Sequence, residues 1–152
     1  EFTGVGTATA WKDSSIILTN CPAFVGYYGG SNTTLSVTGT STVNQGTSTA
    51  NVLNVGITPA TSIVSSSVGT GIMKVESLTS DTAATGIGIQ IGWGSASGSP
   101  TPFDFSTTKN YSPPTDGSSS FTIPLAARYI QTAQPVSAGR ADGKATFVIN
   151  YY

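Results

Sequence analysis

The C-terminal stretch ATFVINYY places Ala145, Phe147, Ile149 and Tyr151 at every second position, with Thr146, Val148 and Asn150 between them. Successive side chains of an extended strand point to opposite faces, so these four residues share one side. The alternation predicts a half-buried strand over 145–152. Further short β-rich runs appear at 14–19, 23–28, 33–38, 50–57, 72–78, 86–93 and 121–130, separated by turn-forming clusters such as GGSN, TSDTAATG and SPPTDGSSS. No amphipathic stretch of helical period extends beyond a couple of turns, because Gly, Pro, Ser and Thr interrupt the chain throughout. The expectation is a single all-β domain over residues 1–152, a sandwich or barrel. The polar tracts 39–49 and 94–120 read as surface loops. The second is long for a compact domain, and Phe103, Phe105 and Tyr111 are the residues able to pin it or give it a short strand. Pro124 lies inside FTIPLAARYI, where it has no N–H to give to a ladder. That strand is therefore expected to be at an edge, bulged or interrupted, and to change partners near Pro124.

Composition narrows the function classes. Charged residues make up 9% of the 152-residue chain and the net charge is −1. The basic residues Lys12, Lys74, Lys109, Arg128, Arg140 and Lys144 are scattered, which leaves no electrostatic footprint for nucleic acid or anionic lipid. Solubility falls instead to Ser, Thr, Asn and Gly, a balance common in secreted β proteins. No apolar run approaches the about 18 to 20 residues that span a bilayer. The N-terminal EFTGVGTATAW lacks the basic and apolar regions of a signal peptide, so any export signal is expected to have been removed already. Cys21 stands alone, whereas a secreted β protein would normally pair it. It is either a buried free thiol or the partner of a cysteine in a segment beyond this chain.

The chemistry of catalysis is thin. There is no histidine, which removes the usual general base, the Ser-His-Asp triad and the commonest metal ligand together. The carboxylates Glu1, Asp13, Glu76, Asp81, Asp104, Asp116 and Asp142 form no acidic cluster and no calcium-loop spacing. A distant Asp/Glu pair of the glycosidase type stays open at the level of sequence. GVGTAT and GIGIQIGWG look superficially like phosphate loops, but neither precedes a helix and no Gly-Lys-Ser/Thr follows, so they read as strand glycines and turns. No cofactor is implied. Trp93, Tyr27, Tyr28 and Tyr111 are candidates for a sugar-stacking face, with core packing or loop anchoring as the competing reading of each.

From about Ser14 to Tyr152 the chain resembles the pilin domains of chaperone–usher fimbriae of Gram-negative bacteria, of the type 1 and P pilus kind. The C-terminus carries the strongest likeness: Gly139 lies fourteen residues from the end counting both ends, followed by the alternating Ala145, Phe147 and Ile149 and a penultimate Tyr151. FTIPLAARYI is similar to the family's IPL/F-ARY segment, ATGIGIQIGW to its AxGVGIQI strand, and IILTNCP to the strand that delivers its second cysteine. The chain departs from the pattern at its front. EFTGVGTATAWKD is too short to hold both a donor extension and a first cysteine-bearing strand. The likeness therefore implies either a subunit whose front strand lies elsewhere or the C-terminal pilin domain of a two-domain tip adhesin, with Cys21 the candidate for a disulfide with a missing segment.

The resemblance implies an incomplete immunoglobulin-like β-sandwich, completed by a donor strand from another chain. It implies a periplasmic chaperone, an outer-membrane usher and neighbouring fimbrial subunits as partners, a place in an extracellular fimbrium reached through the periplasm, a host receptor met through the assembled organelle, and no enzymatic role. On this reading Gly139, Ala145, Phe147, Ile149 and Tyr151 belong to the chaperone and subunit interface. Ile16, Leu18, Ile87, Ile89 and Ile91 line the groove or the core. The competing expectations are a secreted carbohydrate-binding β-sandwich using the aromatic region from Trp93 to Tyr111, and an ordinary closed sandwich.

Overall fold

The computed structural model describes residues 2–22, 27–29, 48–64 and 67–152. Every regular element among them is a β-strand: β1 (Lys12–Asp13), β2 (Ile16–Leu18), β3 (Tyr27–Gly29), β4 (Ser48–Ala50), β5 (Leu53–Pro59), β6 (Ile72–Lys74), β7 (Ile87–Trp93), β8 (Thr101–Pro102), β9 (Lys109–Tyr111), β10 (Phe121–Ile123), β11 (Leu125–Gln131) and β12 (Ala145–Tyr151). The expected strand at 33–38, and most of the segments 23–28 and 39–49, lie outside the described residues. A small antiparallel pair joins β3 to β4.

The front sheet runs β1-β11-β7-β6, with β8 also paired to β7. Its centre is the antiparallel ladder of β11 on β7, in register from Leu125↔Trp93 to Gln131↔Ile87. At Pro124 the strand breaks as its missing N–H requires: among the described residues β10, on its N-terminal side, pairs only with β2, whereas β11 pairs with β7 and β1. The freed Pro124 carbonyl accepts the Gly94 N–H at 3.0 Å. Amide bonds from Gly6, Thr9 and Ser14 to the carbonyls of Gln131, Tyr129 and Leu125 extend the pairing of β1, and the Cys21 N–H reaches the Ser119 carbonyl at 2.8 Å. Residues 6–21 thus run as one antiparallel line along 119–131.

The back sheet is β12-β5-β9. Leu53, Val55 and Ile57 on alternate positions of β5 point inward and are buried. They meet β10 and the front sheet in two adjoining clusters, Leu53 and Val55 with Phe121 and Ile123, and Ile57 with Ile91, Phe103 and Leu125. This is an open β-sandwich. The long tract 94–120 is pinned as its aromatic residues suggest: Phe103 is wholly buried, with its ring 6.1 Å from Trp93 and 6.3 Å from Phe105. Tyr111 stacks on Phe121 at 5.6 Å, and the tract supplies β8 and β9.

Since Phe103 fills the space between the sheets, Phe103→Ala is expected to cost about 3–5 kcal/mol. Phe105→Ala, at a half-buried position, should cost distinctly less. Urea unfolding of the two variants checks the order.

Candidate functional site

Among the described residues strand β12 has one strand neighbour. It pairs with β5 from Ala145↔Pro59 to Tyr151↔Leu53, and among the described residues no strand pairs its other edge. Val52 and Tyr152 exchange both backbone bonds, at 2.9 and 3.0 Å, and the Ala60 N–H reaches the Lys144 carbonyl at 2.8 Å. In an antiparallel ladder the bonded pairs recur at every second residue. The N–H and C=O groups of Thr146, Val148 and Asn150 therefore face β5, and those of Ala145, Phe147 and Ile149 face the open edge.

The side chains tell the same story. Phe147 and Tyr151 lie directly opposite Ile57 and Leu53 and point to the same inner face, yet they are 43% and 61% exposed where their β5 partners are 2% and 4% exposed. Ala145 and Ile149 are half-buried against the core clusters. Across the opening lies the line 6–21, whose other edge no described strand pairs and whose β2 packs Ile16 and Leu18 against the core and leaves Ile17 69% exposed. Between the two edges is a cavity of about 450 Å³. Its floor is Met73, Ile89, Ile91, Leu125 and Ala127 from the front sheet, and its sides are Ser14 and the segment Gly143 to Phe147.

One end of this groove is closed. The segment before β12 crosses to the front sheet, where Glu76 and Asp142 exchange backbone bonds and the Tyr129 hydroxyl donates to the Ala141 carbonyl at 2.9 Å. A Cβ on Gly143 would lie 2.5 Å from Met73 Cε and 2.6 Å from Ile89 Cδ1, so the chain passes there only as glycine or by displacing those side chains.

The residues picked out from the sequence are distributed unevenly. Ile89, Ile91, Ala145 and Phe147 meet at the cavity, while Ile87 lines a second hollow with Val64, Ala84 and Thr132. Gly139 sits away from the groove, its Cα against Ala83 and Ala84, where a Cβ would come within 2.5 Å of the Ala84 nitrogen. Cys21 is a half-buried free thiol at the margin of the Leu53 cluster. Ser14, Met73, Leu125 and Ala127 were not anticipated as lining. Their small or irregularly spaced side chains carry no signal until β1, β6 and β11 are brought side by side.

The competing chemistry finds little support. Trp93 and Tyr111 pack against the core rather than forming an outward platform, and Tyr27 and Tyr28 lie on β3. No carboxylate lines the groove. Glu76 and Asp142 come together across their bridge, but Asp142 is held by Arg140 at 3.2 Å and by the Leu78 N–H. No group of three or more metal-ligating side chains exists among the described residues.

No protein-family model matches this chain, and no curated protein matches it. Among solved structures, its fold is similar to that of an antigen and type I fimbria protein of Burkholderia pseudomallei, with a TM-score of 0.55 and 21% identity over 99% of this chain and 74% of that one. It is also similar to the CupB6 tip adhesin of Pseudomonas aeruginosa, with a TM-score of 0.60 and 17% identity over 97% of this chain. The chain spans 32% of that adhesin's length. The shared fold is that of a pilin-like β-sandwich.

Because Phe147 is half in water, Phe147→Ala is expected to cost less than about 1.5 kcal/mol. Ile57→Ala, directly across the ladder, should cost about 2–5 kcal/mol. Equal losses in urea unfolding of the partner-free chain would mean that β12 is already covered.

Proposed function

We propose that this chain is a structural and assembly module of an adhesive bacterial fimbria, joined to its neighbours by an added strand rather than by any chemistry. The observation that carries this reading is the inward-facing Phe147 on β12, 43% exposed over the groove, beside a backbone edge that no described strand occupies. An extended segment laid along that edge can accept and donate hydrogen bonds with Ala145, Phe147 and Ile149 and insert alternate apolar side chains over Met73, Ile89 and Ile91. The likeness in fold to a fimbria protein and a tip adhesin supports the reading.

In this role the strand comes first from a periplasmic chaperone and then from the next subunit, with an outer-membrane usher between the two steps. The module works outside the cell, in the fimbrium, and takes no part in catalysis. The interface consists of Ala145, Phe147, Ile149 and Tyr151 on one lip, with Ile89 and Ile91 beneath. Gly139 belongs to the turn that brings the chain to that lip. Until the edge is filled it is open to pairing with further copies, as exposed apolar edges generally are.

A peptide of alternating apolar residues, added at about 100 times its dissociation constant, contributes roughly 2.7 kcal/mol of stability. For a domain of this size that raises the melting temperature by roughly 5–10 °C. Gly143→Val, which fills the closed end of the groove, should reduce the shift. A chain that melts high as a monomer and ignores such peptides would sink the proposal.

A further inference from the structure

The outer face of the front sheet, opposite the groove, carries a cation that no carboxylate of the described residues pairs. Along β11 the residues Leu125 and Ala127 face the groove, so Ala126, Arg128 and Ile130 face outward. Arg128 is in register with Gln90 of β7, which is in register with Ile72 of β6. Ile72, Gln90, Ala126 and Ile130 are all buried on this face. Strand β7 makes room for the cover: a Cβ on Gly92 would lie 2.9 Å from the Trp11 ring, and one on Gly88 would lie 2.7 Å from Ile72 Cγ2.

The guanidinium is held in a set orientation. Its Nε donates to Gln90 Oε1 at 2.8 Å, and Gln90 Nε2 in turn donates to the Thr70 carbonyl at 2.9 Å. Both ends of the buried amide are used, so its oxygen is committed to Arg128. Arg128 Cζ lies 4.2 Å from the centre of the Trp11 ring. The Nη hydrogens remain for another acceptor.

No carboxylate of the described residues supplies one. Asp13, Asp104 and Asp116 accept from Ser15, Ser106 and Ser118, Asp81 accepts from Thr79, Asp142 pairs with Arg140, and the Glu76 carboxylate, one oxygen of which is buried, makes no ion pair with Arg128. Partial burial lowers the affinity of Arg128 for its proton, the sign of a charge removed from water without a compensating anion. A planar guanidinium fixed through Nε offers its remaining fork to a carboxylate in two-point fashion.

We propose that Arg128, oriented by Gln90 and stacked on Trp11, is a binding site for the carboxylate of an acidic sugar residue. A small polar ligand suits the face better than a protein. Its large apolar side chains are already covered, and protein interfaces need a buried apolar core. The flanking Thr70 and Gly69 are neutral, and the indole edge gives a sugar ring an apolar neighbour. The site lies on the far side of the sheet from the groove and does not depend on how the groove is used.

The test is calorimetric titration of the full chain with a galacturonic acid trisaccharide, its neutral methyl ester, and a glutamate hexapeptide. The Trp11 indole resonance is followed in parallel. The acid should bind and shift that resonance, and the ester should bind at least about tenfold more weakly. Arg128→Gln should abolish binding. Arg128→Lys, which keeps the charge but not the fork, and Gln90→Leu, which frees the guanidinium, should each weaken it by about tenfold with the circular dichroism unchanged. Absence of binding at millimolar acid, equal binding of acid and ester, or full affinity in Arg128→Lys overturns the site. Binding of the peptide but not of the trisaccharide overturns its assignment to a sugar.

Discussion

A β-strand is stable when both of its edges and both of its faces are accounted for, and among the described residues β12 has only one edge paired. Its ladder with β5 fixes which backbone groups turn outward and which side chains turn in. Phe147 must follow the inward alternation although its side chain stays 43% exposed. Burying one such side chain fully contributes about 1.5–3 kcal/mol, set against a typical net stability of roughly 5–15 kcal/mol for a domain. The interaction with a covering strand is thus comparable in size to a large share of the stability of the fold. Under the proposed function, that proportion is what would let an open sandwich serve assembly.

The rest of the architecture holds the opening in place. The core is complete on the far side, where Leu53, Val55 and Ile57 meet Phe121, Ile123, Leu125 and Phe103. The crossing at Gly143 and the Glu76–Asp142 bridge tie the start of β12 to the front sheet. The groove therefore has a firm floor, one closed end and two free lips. A flexible hydrophobic patch would be a hazard, whereas a framed one specifies the direction and register of what it accepts.

Strand β7 shows how one alternation serves two surfaces. Ile89 and Ile91 face the groove, while Gly88, Gln90 and Gly92 face outward. The glycines allow Ile72 and Trp11 to lie close over the sheet, and Gln90 orients Arg128. A pattern that reads from sequence as strand glycines is, in three dimensions, the seat of a covered and charged outer face.

Much of this was legible in the chain. Period-two alternation identified β12, β7 and β11, because side-chain direction in a strand is a local property. The missing N–H of Pro124 marked the change of partners between β10 and β11 for the same local reason. The aromatic residues of 94–120 announced that the tract had to be anchored. What the sequence left undetermined is everything that depends on which strands become neighbours. Of the expected run 14–19 only Ile16–Leu18 forms a strand, β1 (Lys12–Asp13) precedes it unanticipated, and the pairing of 6–21 with 119–131 joins residues about a hundred positions apart. Ser14, Met73 and Ala127 become groove lining only when separate strands are brought side by side, and Trp11, Gln90 and Arg128 meet only where the segment before β1 lies beside β7 and β11. Side-chain alternation is set by the backbone of a single strand, but an open edge is a relation between strands, and only the tertiary structure could decide where it falls.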